Sequence, residues 1–148
     1  MIFLEQIPVS FLKPILKLKY MFVIRKEFAF SASHQLKGLP DTHPCSRLHG
    51  HNYVVTVELR SEWLNEVGFI KDYRSLEPVK RWIDEVLDHK HLNDVLGLDK
   101  DKATLAMINP TAENMSKLFF DLFKEWIPEL YAVEVSETPK TSARYERS

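Results

Sequence analysis

The chain has 148 residues, of which 45% are hydrophobic and 28% charged, a balance that suits one soluble domain with a proper core. Its formal net charge of −1 excludes a global basic field for nucleic acid or an anionic membrane, so any anionic ligand must be met by a local cluster of Lys and Arg. The lone cysteine excludes an internal disulfide framework and fits a reducing cytosol, and no apolar run reaches transmembrane length.

Residues 1–20 are apolar but interrupted by Pro8, Pro14, Lys13, Lys17 and Lys19. They lack the architecture of a signal peptide. They are expected to be an extension, or a misassigned start, outside a single functional domain at 21–148. From Met21 the pattern changes. Phe22, Ile24, Lys26, Phe28 and Phe30 alternate with Val23, Arg25, Glu27 and Ala29, which predicts a long strand ending near His34. Gly38, Pro40, Asp41, Pro44 and Gly50 make residues 35–50 a loop. A second strand is predicted from about His51 to Arg60, with His51, Tyr53, Val55, Val57 and Leu59 on one face.

Two helices should follow. Leu76, Val79, Ile83, Val86 and Leu87 recur at helical spacing after Ser75, a plausible N-cap. Thr111 could cap a second helix whose Met115, Leu118, Phe119, Leu122 and Trp126 form an apolar stripe. The stretch between them, 88–110, reads as irregular. Tyr131, Val133 and Val135 then alternate with Ala132, Glu134 and Ser136, and a turn near Pro139 leads to a short strand around Arg144. The order ββααββ predicts an α+β domain, a four-stranded antiparallel sheet with both helices on one face.

The chemistry concentrates in the segment Cys45-Ser46-Arg47-Leu48-His49-Gly50-His51, with His34 upstream. Two histidines at i and i+2 project from one face of a strand. A third from a neighbouring strand completes three imidazoles, the count typical of catalytic zinc with an open fourth position. Each piece also has a plainer reading: His34 as a satisfied polar residue, Cys45 as a small buried hydrophobe, His89 as a helix-terminal histidine. Asp88 could instead polarise His89, and His89 could exchange protons with Cys45, within the fold or across a subunit boundary. Glu113 reads as structural. Glu137, at a strand end, is either a solvated acid or a carboxylate that pairs with a ring's N–H and amino groups. His43 and His91 are left out of the metal shell.

The segments 28–34, 45–53, 68–73, 87–93, 109–114 and 137–138, in this order, resemble the 6-pyruvoyltetrahydropterin synthase / 6-carboxytetrahydropterin synthase family across residues 21–145. The resemblance implies that His34, His49 and His51 bind Zn²⁺. It implies that Cys45, Asp88 and His89 form a proton-transfer set and that Glu137 anchors a pterin ring. It further implies the tunnelling fold, with trimers whose sheets close a barrel and stack as a homohexamer, and active sites at subunit interfaces. Three residues separate Cys45 from His49, a spacing similar to that of enzymes making 6-carboxy-5,6,7,8-tetrahydropterin on the route to queuosine and related deazapurines.

The implied activity is a zinc-dependent carbon–carbon lyase acting on a small molecule, 7,8-dihydroneopterin triphosphate, in the cytoplasm. Arg47, Lys71, Lys90 and Arg144 are candidates for its triphosphate. Gln35 stands where a basic residue is common, and 94–108 is longer than in compact relatives. The alternatives are pyruvoyltetrahydropterin formation without loss of the side chain, and a non-catalytic zinc- or pterin-binding protein.

Overall fold

A computed structural model describes residues 21–96 and 109–148. The reading of residues 1–20, and most of the long segment before Pro110, lie outside the described residues. Strand β1 (Phe22–His34) and β2 (His49–Ser61) form a long antiparallel pair. Their alternation sends Phe28, Phe30, Ala32 and His34 to the same face as His51, Tyr53, Val55 and Val57. Helix α1 (Glu77–Trp82), the two-residue strand β3 (Lys90–His91), the single turn α2 (Leu92–Val95) and helix α3 (Ala112–Phe123) follow. Strands β4 (Leu130–Thr138) and β5 (Thr141–Glu146) close the order.

The sheet order is β3-β1-β2-β4-β5. The four long strands are antiparallel, as the pattern predicts. The addition is β3, which pairs parallel to β1 through Ala32 and Ser33 only. Two residues with no alternation leave no readable signal, so 88–110 looked irregular. The helices pack on the face carrying Phe28, Phe30, Tyr53 and Val55, where the core is fully closed. Each of these large side chains contributes about 1.5–3 kcal/mol by leaving water. The opposite face carries Arg25, Glu27, Asn52, Thr56, Glu134 and Ser136. Among the described residues no helix is long and apolar enough to cross a membrane.

Three local expectations change. Ser75 is not the first helix's cap: it lies inside a 3₁₀ turn, Tyr73–Leu76, that leads into α1 and is itself capped by Asp72, whose carboxylate accepts from the Arg74 N–H at 2.8 Å, while Leu76 starts α1 with no side-chain cap. A run of π-helix, Ile83–Leu87, extends α1, keeps Ile83 and Leu87 both buried, and delivers Asp88 to the edge of β1. In α3 the buried face is Met115, Ser116, Phe119, Phe120 and Phe123, while Trp126 lies beyond the helix and is 39% exposed. The aromatic rings decide that rotation: Phe120 meets Tyr145, and Phe119 and Phe123 flank Trp82. Thr111 does cap α3, accepting from the Asn114 N–H.

Candidate functional site

The β1–β2 register builds the histidine cluster. His34 sits directly opposite His49, and His51 sits opposite Ala32, whose small side chain leaves room for the third ring. Gly50 faces the other side of the sheet, where a Cβ would press on the Ala32 carbonyl oxygen at 3.2 Å. Beneath the cluster Tyr53 stacks on Phe30 at 4.9 Å between ring centres and meets His34 and His51 edge-on.

One ring nitrogen from each of His34, His49 and His51 lies within 4.8 Å of the others. Two of the rings have a fixed orientation. His34 Nδ1–H donates to the Pro110 carbonyl at 2.9 Å, and His49 Nδ1–H donates to the Arg47 carbonyl at 2.8 Å. A carbonyl can only accept, so each neutral ring keeps its lone pair on Nε2. Those two Nε2 atoms are 3.0 Å apart. Neutral imidazoles cannot hydrogen-bond in that arrangement; a proton or a metal ion must lie between them. Burial is the main cause that lowers the His34 pKa to about 4, with the neighbouring imidazoles adding to it, so the proton is disfavoured. Burial, then His49, lowers His51 as well. The donor set therefore fits a cation: ligand nitrogens about 2.0–2.1 Å from tetrahedral Zn²⁺ are about 3.3 Å from one another. The backbone carbonyls supply the outer support such ligands require.

Glu137, at the end of β4, brings Oε1 to 4.0 Å from His34 Nε2. Burial, reinforced by Glu113 and opposed by His49, raises its pKa. Cys45 lies on a 3₁₀ turn, Pro44–Ser46; its N–H donates to His43 Nδ1 at 3.1 Å and its carbonyl accepts from the Leu36 N–H at 2.9 Å.

Asp88 and His89 are pinned to the edge of β1 at a single residue. The Ser31 N–H donates to Asp88 Oδ1 at 2.9 Å, and the His89 N–H donates to the Ser31 carbonyl at 2.6 Å. Asp88 Oδ2 takes the His89 Nδ1–H at 2.8 Å, leaving Nε2 free on a ring that is 81% exposed. His89 is in the left-handed region at φ 57°, a strained conformation for a non-glycine residue. The Ser31 N–H, then His89, lowers the Asp88 pKa. Among the described residues no hydrogen bond or ring contact joins His89 to Cys45 or to the three imidazoles. His51 and His89 do line one open cavity of about 530 Å³.

Sequence reasoning missed the Pro110 and Arg47 carbonyls, which have no side-chain signature. It also missed Tyr53, whose hydroxyl is buried without a hydrogen-bond partner and whose pKa burial and Glu137 push upward.

Residues 23–148 match the 6-pyruvoyl tetrahydropterin synthase family. The chain belongs to that family. It is 36% identical over 131 residues to the 6-carboxy-5,6,7,8-tetrahydropterin synthase of Synechocystis sp., covering 84% of this chain and 93% of the relative. It is 33% identical over 138 residues to the 6-pyruvoyl tetrahydrobiopterin synthase of Drosophila melanogaster, covering 84% and 78%. The structure of Caenorhabditis elegans 6-pyruvoyl tetrahydropterin synthase superposes with a TM-score of 0.71 at 28% identity, over 87% of this chain and 97% of that one. Members of this family under two names are thus similar to the chain over most of its length.

Proposed function

We propose that the protein is a zinc-dependent 6-carboxy-5,6,7,8-tetrahydropterin synthase, converting 7,8-dihydroneopterin triphosphate to 6-carboxytetrahydropterin, acetaldehyde and triphosphate. The observation that carries the reading is the pair of carbonyl-locked Nε2 atoms 3.0 Å apart, joined by a third imidazole, in a chain of this family. The Synechocystis relative's name and the Cys45–His49 spacing favour the carboxy-forming reaction.

His34, His49 and His51 would hold the metal. A zinc ion there supplies Lewis-acid chemistry to the hydroxyl-bearing side chain of the substrate. Glu137 takes the pterin's amino and ring N–H groups; its half-buried carboxylate is the acceptor they complement. Cys45, as thiolate, removes a proton from the substrate side chain. Asp88 fixes the His89 ring with Nδ1–H turned inward, so Nε2 exchanges a second proton during rearrangement. Triphosphate leaves, and hydrolytic cleavage of the side chain, consuming one water, releases acetaldehyde and leaves the carboxylate. The ring is reduced at the expense of its own side chain.

The same reading includes a cytoplasmic homohexamer built from two trimers, feeding queuosine or related deazapurine synthesis. Two features support the assembly. Before Ser31, β1 has no described strand paired to its outer edge, and β5 has none on its own. Among the described residues, no hydrogen bond or ion pair joins the dyad to Cys45 within one chain.

Zinc-loaded protein incubated with 7,8-dihydroneopterin triphosphate should release one acetaldehyde per carboxytetrahydropterin. The Drosophila relative favours a second reading, pyruvoyltetrahydropterin formation. A pyruvoyl product without acetaldehyde would select it.

A further inference from the structure

The end of the β1–β2 pair remote from the three imidazoles carries an apolar platform. Phe22 pairs with Ser61 there and His34 with His49 at the other end, a strand length of roughly 40 Å away. Just past Ser61 the chain displays Trp63, Leu64, Val67 and Phe69 on one tight loop. Trp63 is 79% exposed and Val67 70%, above every other large apolar side chain among the described residues; Leu64 and Phe69 are 40% and 49% exposed. The loop is firmly held. Ser61 Oγ donates to the Trp63 carbonyl at 2.7 Å and accepts from its N–H at 3.0 Å. Asn65 Oδ1 accepts from the N–H groups of Val67 and Phe69 at 3.1 and 2.9 Å, and the Asn65 N–H donates to the Phe69 carbonyl at 2.8 Å. Gly68, at φ 88°, takes the left-handed turn that closes the loop. A fixed backbone that holds four large apolar side chains in water is suited to being covered, because little of its own entropy is left to lose on docking.

We propose that residues 1–20 of the same chain cover this platform. They join the fold at Met21, directly before Phe22, so they leave from this end of the pair and not from the metal end. Met21, Phe22 and Val23 are themselves 44–46% exposed, so apolar surface reaches the point of departure. Twenty residues reach about 30 Å even when fully helical, more than a loop of this size needs. The segment supplies matching side chains in Ile2-Phe3-Leu4, Phe11-Leu12 and Ile15-Leu16. The charges complement as well. Lys13, Lys17 and Lys19 outnumber Glu5 in the segment, whereas residues 61–70 carry Glu62 and Glu66 and no base. The next lysine, Lys71, is held by Glu129 at 3.0 Å. A tethered segment also has a high effective concentration at its site, an advantage over any free partner. The inference stands apart from the pterin chemistry, since the platform is a strand length away from the histidine cluster.

The test is limited trypsin digestion of the full-length, zinc-loaded protein, with intact mass reporting cleavage after Lys17 or Lys19. Trp63→Ser/Val67→Ser should speed that cleavage by about tenfold, the change expected if docking is worth about 1.4 kcal/mol. Zinc content and turnover should stay at the wild-type level. Phe11→Ser/Leu12→Ser, which leaves the platform untouched, should speed cleavage equally and stands in if the first variant fails to fold. The photo-crosslinker p-benzoylphenylalanine in place of Phe11 should join to residues 63–69 of its own chain, which mixing with isotope-labelled protein verifies. Equal cleavage in wild type and both variants, crosslinks elsewhere or to a neighbouring copy, or a native product beginning at Met21 would overturn the inference. So would protection that appears only with phosphatidylglycerol vesicles, which would make a lipid surface the segment's partner.

Discussion

Strand β2 carries two buried polar clusters, one at its start and one near its end, and they are opposites. At the start, His34 and His49 aim Nε2 lone pairs at one another with His51 beside them, and among the described residues no donor is bonded to either Nε2. Near the end, on the helix-free face, Glu58 has a side chain with no solvent exposure and is ringed by Arg25, Arg60 and Arg144 at 2.7–2.8 Å. Burial pushes its carboxyl upward, but hydrogen bonds from Arg144, Arg25 and Arg60 together overcome this and hold it at about 2. Arg60 also lies over the Tyr131 ring at 3.6 Å. A self-compensated cluster stabilises the fold; an uncompensated one could be satisfied by a cation. The difference separates structural from functional polarity without reference to any relative.

The sharpest way to break this contrast is to remove one member of each cluster and read both function and stability. His49→Ala should abolish stoichiometric zinc uptake and lower turnover by ~1,000-fold or more, since even outer-shell partners cost 10–100-fold. Metal-free stability should hold or rise, because the opposed Nε2 lone pairs are gone. A large loss of stability in the metal-free variant would mean the histidines hold the fold. Metal analysis and chemical denaturation of the stripped protein read both.

Glu58→Gln should do the reverse: zinc content unchanged, and stability down by about 2–3 kcal/mol, because three guanidinium groups lose their counter-charge. The pH dependence has a definite sign. The folded carboxyl sits at about 2 against an ordinary value of 4.5, so its contribution is complete above about 4.5 and lost as pH falls toward 2. Since the arginines are partly exposed, solvent screening reduces the full linkage value to about 2 kcal/mol. Acid titration of wild type should show that loss, and the variant should not.

The smallest effect refines the comparison. Tyr53→Phe removes a buried hydroxyl that has no partner, so the metal-free protein should be unchanged or gain up to about 1 kcal/mol. A clear loss in the melting curve would show that the hydroxyl is satisfied in solution and that the floor of the histidine cluster is compensated after all.

Much of this was legible in the chain because strand alternation is a strong local signal. The period-2 pattern of β1 and β2 placed His34 and His51 on the core face, and the His-Gly-His spacing put two imidazoles side by side. The apolar residues after Ser75 and Thr111 announced both helices. What could not be read depended on partners distant in sequence. The rotation of α3 was chosen by Trp82 and Tyr145. The edge strand β3 exists only because Ser31 captures Asp88 and His89 across the fold. Glu58 reads as an ordinary strand acid until three arginines from β1, β2 and β5 close over it. The sequence by itself determined which side chains can ligate, shuttle or pack, since residue type and spacing decide chemistry and face. Only the tertiary structure decided which nitrogens face one another, because the orientations of the His34 and His49 rings are set by carbonyls that carry no signature in the sequence.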